Sequence, residues 1–191
     1  MKKIVILLFA LSSVLNIFAQ KIESDKFDDK GYRYIYCSLE SIRSMMDKYV
    51  FFVSLNAIQS GSDTEDIIYD IFLRTNANAP LTVPKGGRLL IKLQNDSIIE
   101  LKTDIEFSDK IGKVQHSNSL VYTNYSITPI FTVTTDQIEK ISMGVKKIRL
   151  ETTLEPIDKE FRKDKMGKIL SAEYDLIKSA LSQKKSFSDD F

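Results

Sequence analysis

The chain contains one cysteine, Cys37, and one histidine, His116, the two side chain types from which a thiol nucleophile and its general base are made. Cys37 falls in an alternating run over residues 34–39, where a thiol on the face opposite the tyrosines reads as a small core residue. His116 falls in the polar stretch 115–119, which reads as an exposed loop. No local cysteine-protease signature surrounds either position, so the two are expected to stay apart. Metal chemistry is no better supplied. Ser62, Asp63, Thr64, Glu65 and Asp66 follow Gly61, but they lack the alternating ligands, central glycine and terminal glutamate of a calcium loop. A solvated acidic turn is expected instead. One cysteine and one histidine cannot close a structural zinc site, and neither a metal nor any other cofactor is expected.

Gly86 and Gly87, flanked by Lys85 and Arg88, are followed by a strand pattern and not by a helix, so the amides of a helix start that would cradle phosphate are missing. A turn is expected there. Lys146, Lys147 and Arg149 alternate with Ile148 and Leu150, the pattern of the solvent side of a half-buried strand. Glycoside hydrolysis needs two carboxylates at a fixed separation. Spacing picks no such pair out of 26 acidic residues, and the chain has no tryptophan to stack on sugar rings. Catalytic residues are therefore not assigned.

Any such groups would have to be positioned by strands. Tyr32, Tyr34 and Tyr36 alternate on one face of a strand. Residues 49–58 form a nearly continuous apolar run, as expected for a strand covered on both faces. Residues 67–73 are a further strand candidate. Residues 76–87 contain Pro80, Pro84 and Gly86-Gly87 and read as a long loop. Leu89, Ile91 and Leu93, the turn pair Asn95-Asp96, then Ile99 and Leu101 make a β-hairpin. Residues 120–133 read as strand broken at Pro129. Thr134 and Gln137 stand at capping-box spacing ahead of a short helix near 135–143 that ends at Gly144. After a strand around 145–152 and Pro156, the tail 156–191 reads as helical. Met166, Ile169, Leu170, Tyr174, Ile177 and Leu181 make its apolar stripe, and Gly167, which costs up to about 1 kcal/mol in a helix interior, is the point in it where a break could fall. The fold expected is mainly β (α+β): an antiparallel β-sandwich-like domain of about seven strands with a short helix and a C-terminal amphipathic helix.

The N-terminus supplies an address. Lys2 and Lys3 precede an apolar run from Ile4 to Phe18 and a small residue, Ala19, the three parts of a signal peptide. With Ser12, Ser13 and Asn16 inside it, the run is too short for a membrane span. Cleavage before Gln20 leaves 172 of the 191 residues, the size of one domain. Without Lys2 and Lys3, 25 of the 27 basic residues remain against 26 acidic ones. That balance gives no electrostatic pull toward nucleic acid or an anionic membrane. No cysteine stands at the cleavage point, so the mature protein is expected to be exported, soluble and not lipidated, periplasmic or extracellular. A single cysteine allows no intrachain disulfide. The organisation expected is a signal peptide at 1–19, a flexible leader at 20–31, a strand-rich domain at 32–155 and a helical segment at 156–191.

Phe18-Ala19-Gln20, Pro84-Lys85-Gly86-Gly87 ahead of residues 89–93, the return 98–101, residues 135–141 and the run Lys147-Ile148-Arg149-Leu150 together resemble small secreted β-sandwich proteins of unknown function from Gram-negative gut anaerobes. The resemblance covers roughly residues 65–155 beyond the signal. It implies the fold and carries over no functional residue. The function expected is that of an exported, non-catalytic binding or structural protein with a protein or glycan ligand, recognised by the loop 76–87 and nearby tyrosines. The alternatives are a glycan-directed, carboxylate-dependent hydrolase, and an oligomerisation or partner module using the C-terminal helix.

Overall fold

The computed structural model describes residues 20–43, 49–60, 66–117 and 120–183. The segment expected to be a signal peptide, 1–19, the segment expected to be an acidic turn except for Asp66, and residues 184–191 of the tail lie outside the described residues. The backbone is mainly β and every strand pairing is antiparallel. Fourteen strands are present among the described residues, twice the number expected, because several are two to four residues long and too short to show alternation.

The larger sheet is built on a hairpin of two eleven-residue strands, β4 (Val50–Ser60) and β5 (Ile67–Ala77), in register from Val50 opposite Asn76 to Gln59 opposite Ile67. Their odd-numbered residues point into the core: Phe51, Val53, Leu55 and Ala57 from one strand, and Tyr69, Ile71 and Leu73 from the other. Each such large aliphatic side chain contributes on the order of 1.5–3 kcal/mol by leaving water. Each long strand is flanked by two short ones end to end. Alongside β4 run β2 (Tyr32–Cys37) and β3 (Glu40–Ser41). Alongside β5 run β12 (Ile130–Val133) and β11 (Leu120–Ile127), separated at Pro129, whose carbonyl accepts a hydrogen bond from the Leu73 amide. The sheet ends on one side with β1 (Ile22–Phe27) and on the other with β10 (Lys113–Ser117). Two expectations are corrected here. Residues 22–27 are not a flexible leader but a strand paired with β2. The segment around His116 is exposed, as expected, but it is a strand and not a loop.

The smaller sheet has the order β14 (Ile157–Glu160), β13 (Val145–Leu150), β7 (Arg88–Leu93), β8 (Ile98–Lys102). Leu89, Ile91, Leu101, Ile148, Leu150 and Ile157 bury its inner face. The hairpin between β7 and β8 is the one expected, with Asp96 at φ 65 in its turn. Residues 157–160 correct the helical reading of the tail: Ile157 and Lys159 are buried while Asp158 and Glu160 face solvent, a period of two. The 76–87 loop holds a short strand of its own, β6 (Leu81–Val83), paired with β9 (Phe107–Asp109).

Helix α1 (Thr135–Ser142) starts in the expected capping box, Thr134 accepting from the Gln137 amide and Gln137 from the Thr134 amide. Helix α2 (Met166–Ser182) packs on α1 and β4, burying Met166, Ile169, Leu170, Ile177 and Ala180. Gly167 is no break but the second residue of α2. A Cβ there would lie 2.6 Å from the Ile141 carbonyl oxygen, so only glycine lets the two helices approach. One hydrophobic cluster joins both sheets and both helices.

Candidate functional site

Cys37 and His116 are not brought together. Cys37 lies on the inner face of β2, 4% exposed, whereas His116 is exposed on β10, four strand spacings away in the sheet order, on the order of 19 Å at about 4.8 Å each. Burial, with Glu173 and Glu23 nearby, pushes the Cys37 thiol up to about 12, so it is held as a neutral thiol and is no nucleophile. Gly86 and Gly87 form the expected turn. Their amides are committed to the carbonyls of Thr103 and Pro84 and not to an anion. Lys146, Lys147 and Arg149 are engaged by Asp96, Asp158 and Glu160 on the outer face of the smaller sheet. No group of three or more histidine, cysteine, aspartate or glutamate side chains able to hold a metal occurs among the described residues. No helix among them is long and apolar enough to cross a membrane.

Among the described residues the interior holds one unusual carboxyl. Between the end of β2 and the start of β3 the chain leaves β4, so the outward edge of β4 loses its strand partner at Leu55. Side chains fill the gap. Asn56 Oδ1 accepts the Cys37 amide at 3.0 Å, and Glu173 of α2 accepts the Leu55 amide through Oε2 at 2.7 Å. Glu173 is fully buried, and its Oε1 has no hydrogen-bond partner among the described residues. Burial pushes its carboxyl up to about 8, with Glu40 adding to the rise and the Leu55 amide opposing it. A carboxyl with a raised pKa in a cleft would be an acid catalyst candidate; this one is shut into the core and acts as a plug for an unpaired strand amide. The sequence marks it, because it interrupts the apolar stripe between Leu170 and Ile177.

Concavity is found elsewhere. A cleft of about 350 Å³ lies between residues 77–81, which open the 76–87 loop, and residues 152–157, which join β13 to β14; Tyr49 forms another part of its lining. Its apolar lining includes Ala77, Ala79, Pro80, Leu81, Leu154 and Ile157. Glu155 is the one carboxylate on its lining among the described residues, and the Tyr49 hydroxyl donates to it at 3.2 Å. Thr152 Oγ1 donates to the Glu155 carbonyl and accepts from its amide, fixing the backbone of that wall. Leu154 is 77% exposed at the rim. The first part of the loop singled out in the sequence therefore lines the cleft, while residues 84–87 do not. Tyr49, Leu154 and Glu155 were not assigned from sequence, since Tyr49 and Glu155 lie 106 residues apart and only the fold joins them.

No family model matches the chain, and neither a curated protein nor a solved structure matches it.

Proposed function

We propose that the mature chain is an exported, non-catalytic binding protein, soluble and not lipidated in the periplasm or at the cell surface, and that its recognition site is the cleft beside Tyr49. The observation that carries this reading is a preformed, mostly apolar cleft with a few fixed polar groups, the usual composition of a small binding site. Export rests on the signal features at 1–19. The apolar lining favours an apolar side chain on an extended peptide over a sugar, with the Tyr49–Glu155 pair orienting the peptide backbone or a flanking basic group.

The test is a screen of the secreted chain beginning at Gln20 against an immobilised peptide library and a glycan array, followed by affinity measurement of the best peptide with Leu154→Asp. Leu154 is largely solvent-exposed, so the substitution leaves folding intact. Removing one apolar anchor and placing a charge at the rim should weaken the peptide by about tenfold or more. Unchanged peptide affinity in Leu154→Asp, or selection of glycans alone, overturns the assignment. N-terminal sequencing of the protein from culture fractions tests export separately, with Gln20 expected as the first residue.

A further inference from the structure

We propose that the protein forms a two-fold dimer through edge-to-edge antiparallel pairing of β10 with β10 of a second copy. The larger sheet ends at β10, and no described strand pairs with its outer edge. The β10–β11 hairpin also projects beyond its support, since β11 pairs with β5 only from Tyr125 to Ile127. Beyond that point the hairpin has two strands and exposes Val114 (63%), Val121 (66%) and Tyr122 (43%). A two-stranded ribbon with both faces in water is marginal, and a third strand is what stabilises it. The edge carries no proline and no bulge, two devices that would block pairing.

The occupant follows from the register. Ser117 and Leu120 are partners only three positions apart in sequence, so they exchange both of their backbone hydrogen bonds. The alternation then turns the N–H and C=O of Gln115 and Lys113 toward β11 and leaves those of Val114 and His116 pointing outward. Two copies of this edge fit one another about a two-fold axis at Gln115. Val114 and His116 of one copy exchange hydrogen bonds with His116 and Val114 of the second. Gln115 then meets Gln115 of the second copy as a close, non-hydrogen-bonded pair whose amides are self-complementary. Lys113 falls opposite residue 117, an uncharged serine, so no like charges face each other directly. Val114 and Val121 of both copies share one face and shield each other there. A two-fold contact of this kind is isologous and closes at two subunits.

Sedimentation equilibrium of the chain beginning at Gln20 tests this up to about 1 mM, since a contact this small is weak. A monomer–dimer equilibrium is expected, with amide exchange at Val114 and His116 slowing as the dimer forms. Val114→Pro removes an outward donor without touching a bond to β11 and should raise the dissociation constant about tenfold or more. Gln115→Glu and Gln115→Lys each place like charges on the axis and should weaken self-association about fivefold, while mixing the two restores dimers. If Val114→Pro fails to fold, the charge pair still decides. A wild-type monomer at all concentrations, a dimer indifferent to the Gln115 variants, or assemblies that grow past two subunits would overturn the proposal.

Discussion

Arg33, under the C-terminal end of helix α2, and Glu173, on the buried face of that helix, are both buried residues of charged type, and the fold treats them differently. Arg33, 3% exposed, pairs through Nε and Nη2 with both oxygens of Asp25 at 2.8 and 2.9 Å. It also donates to the carbonyls of Ala180 and Gln183 at the C-terminal end of α2, where the helix dipole favours a cation. Glu173, two turns earlier on the same helix, meets a single strand amide and keeps one oxygen unpartnered among the described residues. An ion is retained where a carboxylate and a helix end answer its donors. Where only one amide is on offer, the acid stays protonated.

The strongest test of that contrast is pH. Below the ordinary carboxyl value of 4.5, Glu173 is neutral in the folded and unfolded chain and costs nothing extra. Between there and about 8 the unfolded chain ionises at this position while the folded one does not. Stability should therefore fall as pH rises through this window and level off above it, by about 1.4 kcal/mol per pH unit and on the order of 5 kcal/mol in all. Urea unfolding at intervals from pH 5 to 8.5 measures the slope. Glu173→Gln, which keeps an acceptor for the Leu55 amide, should remove this component and be the more stable form at pH 8. An equal slope in both proteins would mean that Glu173 is ionised in the core. The other arm is Arg33→Met, which takes away the two-pronged guanidinium contact to Asp25 and the donor to the last carbonyls of α2. It should cost about 3 kcal/mol, read as a fall of roughly 6–12 °C in Tm. Asp25→Asn in that background should recover part of the loss. A cost below about 1 kcal/mol would rank Arg33 with exposed ion pairs such as Arg149–Asp158 on the smaller sheet.

Elements specified by neighbouring residues were legible in the sequence. The tyrosine alternation of β2, the β7–β8 hairpin and the Thr134–Gln137 capping box are each short, local stretches of chain and sit where expected. Strands β1 and β14 were missed because their sequences are dense in charge, and their strand form depends on distant partners. Asp25 is answered by Arg33 of the next strand, and Asp158 by Lys147 and Arg149. The cleft was half legible. Prolines and glycines announced the 76–87 loop, but the opposite wall comes from residues 152–157, which no local pattern links to it. Glu173 was visible as an acid on an apolar stripe, yet its task exists only because β2 and β3 part company at Leu55.

Thr75 supplies the smallest and cleanest version of the same contrast, an orphan polar atom with no charge. It is fully buried on the inner face of β5, opposite Phe51 and Ile127, and its Oγ1 finds no hydrogen-bond partner among the described residues. Thr75→Val keeps the branched shape that suits a strand and removes the unanswered hydroxyl. Deleting a buried group that makes no bond should stabilise, by about 0.5–1 kcal/mol, or about 1–4 °C in Tm. It should do so equally at pH 5 and pH 8, unlike Glu173→Gln, whose gain appears only as pH rises. The two substitutions share no partner, so their effects at pH 8 should add within about 0.5 kcal/mol. A loss of stability in Thr75→Val would show that the hydroxyl is answered by buried water, and would then argue for the same solvent beside Glu173 Oε1.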